Sequence, residues 1–206
     1  MSTSVRSYGG KSAVERARER RTRLVDATVA LLAAHGETGT TMTAICARAG
    51  LTERYFYESF PQREDALLAA LEHVCDVIAR TTLGAISEAP GSPEERVHAV
   101  MAAFVGLVSR DPALGLVATV HSSATPRMRA RRHELIGTFA DLVAEEAAVL
   151  YGEDAWPADR ARVQGLVYIA GFAELVASWL TGEVDLSAEQ LADTASDLFV
   201  SLSRRP

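Results

Sequence analysis

TTMTAICARAGLTERYFYESF, residues 40–60, spells two short helices folded about a tight turn. Thr41 is placed to cap a first helix whose inward face carries Met42, Ile45 and Ala49, at spacings of three and four. Gly50 permits the backbone to reverse, and Leu51 can plug the angle between the helices. Thr52 can then cap a second helix, Glu53 to Glu58, with Phe56 turned inward. Two helices joined this way form a helix-turn-helix, whose second helix is shaped to enter the major groove of DNA.

The flanking sequence supplies what such a motif needs. Residues 1–12 read as a flexible tail. From Val14 to Ala34 a helix carries Leu24, Ala27, Thr28, Leu31 and Leu32 as a buried stripe, and His35-Gly36 ends it. Pro61-Gln62 opens a long helix over 62–85, with Leu67, Ala70, Leu71, Val74 and Ile78 along one side, broken by the segment AISEAPGS. The expected organisation is a helix-turn-helix domain over 13–62 and a helical domain over 63–206, with helix 62–85 as the connector.

Charge divides at the same place. Residues 1–63 hold ten Lys/Arg against six Asp/Glu, whereas the remainder carries the acidic excess that brings the whole chain to −6. A basic amino-terminal third suits contact with a polyanion, although charge also fluctuates along proteins without partners. A chain with 48% hydrophobic and 23% charged residues, rich in Ala, Leu and Glu, favours an all-α globular protein. No uncharged apolar run approaches the roughly 18 residues of a membrane span, and the amino terminus lacks the apolar core of a signal peptide. Cys46 and Cys75 stand apart, and the five histidines show no metal-ligand spacing. No metal, cofactor or catalytic constellation is expected, and a cytoplasmic, nucleoid-associated protein is.

The second half continues in helices. Ser92-Pro93-Glu94-Glu95 is a capping box with proline at the first helical position, launching a helix to about Arg110. Asp111-Pro112 starts a shorter helix expected to stop around Thr125-Pro126. Arg127–Tyr151 and about 158–181 follow, and Ser187-x-x-Gln190 caps the last. The helix at 158–181 is apolar on more than one side. Leu166, Ala170, Ala173 and Trp179, with Leu191, Leu198 and Leu202 of the last helix, could form a four-helix bundle between two chains, or else an intramolecular core. Met101, Phe104, His121, Met128, Tyr168 and Phe172 could wall a ligand pocket or simply fill the core. The arginines at 127, 129, 131 and 132 read as a solvated face or, alternatively, a second DNA site.

The stretch RLVDATVALLAAHGETGTTMTAICARAGLTERYFYESFPQREDALLAAL resembles the DNA-binding domain of the TetR family of bacterial transcriptional regulators. The likeness lies in His35-Gly36, in Thr41-x-x-x-Ile45-x-x-x-Ala49-Gly50-Leu51-Thr52, in Phe56-Tyr57, and in Phe60-Pro61 with Glu64. GFAELVASWLTGEVDLSAEQLADTASDLF is similar to the dimer-forming helices of many members. The resemblance implies a homodimeric, all-α repressor of a palindromic double-stranded operator, released by a small apolar or amphipathic effector. By the same resemblance Thr52, Glu53, Arg54 and Tyr55 face bases, while Thr41, Thr43, Tyr57 and Arg63 bind phosphate. Glu53 and Arg54 depart from the residues common at those positions. A helical enzyme, or a DNA-binding module with a filled carboxy-terminal core and no effector, are the competing expectations.

Overall fold

The computed structural model describes residues 12–205; apart from Ser12, the tail expected at 1–12 lies outside them. The chain runs through α1 (Ala13–Gly39), α2 (Met42–Ala49), α3 (Glu53–Ser59), α4 (Arg63–Glu88), α5 (Pro93–Arg110), α6 (Pro112–Ala118), α7 (Pro126–Tyr151), a 3-10 turn, α8 (Ala158–Leu180) and α9 (Ala188–Ser203). The described residues form no sheet; one isolated bridge joins Ala155 to Arg204.

Local signals set most helix ends. Ser12, Ser92 and Ser187 each complete a capping box, with Glu15, Glu95 and Gln190 closing it from the third helical position. Gly36 interrupts α1 at φ 64°, so the main helix ends there and one further turn reaches Gly39. Gly50 sits in the left-handed region at φ 61°, ψ 40°, where a Cβ would be strained, and it turns the chain from α2 into α3. Thr41 caps α2 as expected, its hydroxyl accepting from the Ala44 amide at 3.2 Å. Thr52 differs: it has N-cap backbone geometry, but its side chain makes no capping bond. The expected end of α6 is also moved. The helix stops at Ala118, and a turn carrying His121 and the buried Ser122 leads to α7.

Two apolar cores result. The amino-terminal one gathers Leu24, Leu31 and Leu32 of α1, Ile45 of α2, Phe56 of α3 and Leu67, Leu71 and Val74 of α4. A seven-residue helix is too short to be stable alone, so the fully buried Phe56 is what fixes α3 to the bundle. Leu114 and Val117 of α6 and Met128 of α7 belong to this same core, which therefore reaches beyond the three-helix unit. The second core collects Val97, Phe104 and Val108 of α5, Tyr168 and Val176 of α8, and Leu191, Ala195 and Phe199 of α9. Ile78, midway along α4, packs against both.

Candidate nucleic-acid interface and effector cavity

The outer surface of the helix-turn-helix presents a compact set of polar groups. Thr41, Thr43, Thr52, Glu53, Arg54 and Tyr57 are all exposed, the Arg54 side chain to 83%. Thr41 accepts from Ala44, which leaves its hydroxyl proton free to donate to an anion. Arg54 gives its Nε–H to Glu58 at 3.1 Å, so both terminal nitrogens stay available for a planar acceptor pair. Glu58 also accepts from Arg20 at 3.4 Å.

Two of the eight residues expected at this surface are held otherwise. Tyr55 is half-buried, with the Arg20 guanidinium 4.5 Å over its ring, so it packs on α1 more than it projects. Arg63 turns back into the protein. It pairs with the Glu37 carboxylate and donates to the carbonyls of Glu37 (2.9 Å) and Thr40 (3.3 Å), fastening the start of α4 to the end of α1. Both partners lie more than twenty positions away, where sequence spacing carries no signal. The arginines of α1 are also used internally. Arg23 caps α2 through the Ala49 carbonyl, and Arg21 donates to Ser59 at 2.8 Å while stacking over Phe60.

The carboxy-terminal helices form a partly open cavity of about 190 Å³ whose walls are almost wholly apolar. Met101 and Phe104 of α5 line it, with Tyr168 and Phe172 of α8 and Phe139 of α7. Phe104 and Phe172 pack with their rings tilted at 59° and 5.1 Å apart, and Tyr168 lies nearly parallel to Phe172 at 5.8 Å. The Tyr168 hydroxyl donates to the Ala195 carbonyl at 3.1 Å, and burial pushes its pKa up, so the ring offers the cavity a neutral face. Cys75 also lines the space. Burial and the nearby Asp76 push its thiol up to about 11, which keeps it protonated and unreactive near neutrality. This space distinguishes the fold from one with a filled carboxy-terminal core.

His121 and Met128, expected at the pocket, lie elsewhere. Met128 is fully buried in the amino-terminal core. His121 follows α6 and meets α1 at the Ala33 carbonyl, and burial lowers its pKa. Both belong to the seam between the two halves. Residues that the sequence did not assign to the pocket form much of the cavity wall: Leu71, Ile78, Thr82 and Leu83 of α4, Gly115 and Ala118 of α6, and Thr119 just after it. Two of the four arginines of α7 are engaged with α4. Arg127 pairs with Glu64 and Asp65, Arg131 with Glu72 and Glu134, and Thr125 donates to Glu64 at 2.6 Å, tying α7 to α4.

One face of α8 has no cover among the described residues. Val163, Leu166, Val167 and Ala170 are exposed there, and Leu198 of α9 is exposed to 44%. Of the other residues expected on this face, Leu191 turns inward and is fully buried, because it sits on the α9 stripe that packs against α5. Ala173 lines the cavity, Trp179 donates to the Leu186 carbonyl at 2.8 Å, and Leu202 is half-buried against the second core. By length and composition α8 could also cross a membrane, with a mean hydropathy of 1.4. No group of His, Cys, Asp and Glu able to hold a metal occurs among the described residues.

Residues 24–71, spanning the helix-turn-helix and its flanks, match the family of bacterial regulatory proteins named for TetR. That match covers the DNA-binding segment, 48 of the 206 residues, and members of the family it describes are DNA-binding regulators rather than enzymes. No curated protein matches the chain. Solved structures share its architecture at low identity. The fatty acid degradation regulator FadR of Bacillus halodurans superposes with a TM-score of 0.76 at 16% identity, covering 93% of this chain and 96% of its own. FadR of Bacillus subtilis, solved with stearoyl-CoA, gives 0.72 at 19% identity over 87% and 97%. AibR, solved with isovaleryl coenzyme A and operator DNA, gives 0.64 at 21% identity over 87% and 97%. At such identities the likeness establishes a shared fold.

Proposed function

We propose that this regulator is a homodimeric repressor that binds a palindromic operator through residues 13–62 and is released when an apolar-chain effector enters the cavity of residues 63–206. The carrying observation is the position of α6. Leu114 and Val117 pack it into the DNA-binding core, while Gly115, Ala118 and Thr119 form part of the cavity wall. An occupant therefore presses on a helix that also touches α1.

At the DNA surface, Thr52 and Arg54 read base edges, with Arg54 aimed at guanine and Glu53 at a cytosine amino group. Thr41, Thr43 and Tyr57 hold phosphates and set the register. The uncovered α8 face, with Leu198, seats the second subunit and presents two reading heads to successive major grooves. Apolar walls suit an acyl chain, and the acyl-CoA complexes of FadR and AibR support that class. Repression and release follow if the effector prefers a state in which the heads are mis-spaced. The protein would act in the cytoplasm, on the nucleoid.

Selection of bound duplexes from a random pool tests the first half. A palindrome with half-sites one helical turn apart, or a multiple of it, is expected; binding indifferent to sequence would refute it. Titration of the operator complex with fatty acyl compounds of graded chain length tests the second. Occupancy of the cavity without any change in operator affinity would refute release by ligand.

A further inference from the structure

Among the described residues the cavity wall carries one cation, and that cation has no partner there. Arg132 stands on the stripe of α7 that also carries Leu135, Phe139 and Glu146 to the cavity. Its neighbours on the helix are engaged differently: Arg127 and Arg131 each hold two carboxylates, and Arg129 lies exposed. Arg132 is half-buried and makes no ion pair or hydrogen bond among the described residues. A guanidinium loses hydration when part of it is covered by apolar groups, and nothing in the chain replaces that loss.

Its place on the wall gives the cavity a polarity. Leu83 is exposed, and Ile86, Ile136 and Leu142 are only half-buried, which marks the side between α4 and α7 as the open one. Arg132 lies near the end where α7 is tied to α4. Glu146, the other charged lining residue, follows fourteen positions later, about 21 Å along the helix axis. An anionic head would be drawn to the first and repelled by the second, whereas a tail meets almost wholly apolar walls between them.

We propose that Arg132 is the anion-binding residue of this cavity and that the effector is an amphipathic anion, its head on Arg132 and its tail among Phe104, Phe139 and Phe172. This rests on the apolar-chain effector proposed above. The planar fork of Arg132 fits a carboxylate or a phosphate equally, so the head is either a free fatty carboxylate or a phosphate of the nucleotide carrier on an acyl thioester.

The test compares the full-length protein with Arg132→Gln, titrating each calorimetrically with dodecanoate, dodecanoyl-coenzyme A and methyl dodecanoate. Loss of about tenfold or more in affinity for one of the anions, with the methyl ester within about twofold in both proteins, is the expected result. The anion that suffers the loss names the source of the head group. Equal affinities of both proteins for each anion that binds would overturn the role of Arg132 while leaving the apolar cavity an effector site. An equal loss for the methyl ester would reduce Arg132 to packing and overturn it too. Failure of all three compounds to bind the wild-type protein would overturn the acyl-chain reading itself. Melting curves and far-ultraviolet circular dichroism check that Arg132→Gln folds, as expected for a side chain that holds no other residue in place.

Discussion

A methyl group added at Gly165 should destabilise the protein, although the same change two turns from the end of a helix usually helps. Gly165 is buried where α8 crosses α7, and a Cβ there would lie 2.5 Å from the Ala140 carbonyl oxygen, 3.3 Å from its carbon and 3.4 Å from its Cα. These are backbone atoms, so no side chain can swing aside; the helices must part by about 1 Å to restore ordinary contact. Overpacking of this kind costs about 1–3 kcal/mol or more, against about 1 kcal/mol returned by alanine's higher helix propensity. The net loss for Gly165→Ala is up to about 2 kcal/mol, or up to about 8 °C in Tm for a chain of this size. Gly137 on α7 supplies the control, since a Cβ there meets nothing within 4 Å. Gly137→Ala should gain about 1 kcal/mol and melt about 2–4 °C higher. Both are read by thermal and urea unfolding at one protein concentration, because self-association would raise apparent stability. A Gly165→Ala protein that melts at or above wild type would refute the close approach of α7 and α8.

Arg54→Ala should cost about 1–3 kcal/mol of discrimination at one base pair of each half-site, read by competition between operator variants, with little change in the salt slope. Arg63→Ala should act in the opposite way, lowering urea stability by about 1–2 kcal/mol through loss of its bonds to Glu37 and Thr40, while the salt dependence of DNA binding stays near wild type. Val167→Glu places charge on the uncovered face of α8 and should yield monomers by sedimentation with helical content unchanged. His121 has a folded-state pKa below its usual value, so the unfolded chain binds the extra proton first as pH falls; stability present above about 6.5 is lost as pH drops through that value toward the lower folded pKa. Unfolding measured from pH 7.5 to 5.5 should show a steeper loss in wild type than in His121→Gln, and parallel slopes would refute the assignment.

The features legible in the sequence are those encoded within one or two helical turns. Thr41 before α2, Gly50 after it, and the capping boxes at Ser92 and Ser187 act on backbone groups no more than four residues away, so their spacing specifies their effect. The motif of the amino-terminal core is legible for the same reason. What distant partners decide is not. Arg63 has the position of a phosphate ligand, yet Glu37 and the Thr40 carbonyl claim it. Leu191 and Leu198 both lie on an apolar helix, and only the packing of α9 on α5 sends one inward and leaves the other at the surface. Met128 and His121 have pocket-like side chains, but the chain enters α7 beside the DNA-binding core, not beside the cavity. An apolar face tells how much of a helix needs cover and leaves open what covers it.

The path from cavity to DNA surface can be judged by which contacts are stiff. The ion pairs between α7 and α4 lie at side chains that are 25–51% exposed, where each contributes about 0–1 kcal/mol and yields readily. They can hold α7 in place but transmit little. α6 is different: its seven residues are too few to hold a helix alone, so its position is set by what it packs against on both sides. Leu114 and Val117 are embedded in the core beneath α1, while Gly115 approaches Leu180 so closely that a Cβ would lie 2.4 Å from its Cδ1. An occupant that shifts α6 by a fraction of an ångström must therefore disturb packing on the α1 side, because close-packed interiors do not absorb such a shift elastically. Coupling of about 1–3 kcal/mol, enough to change operator affinity by about one or two orders of magnitude, lies within what a few buried contacts supply and beyond what one exposed ion pair does.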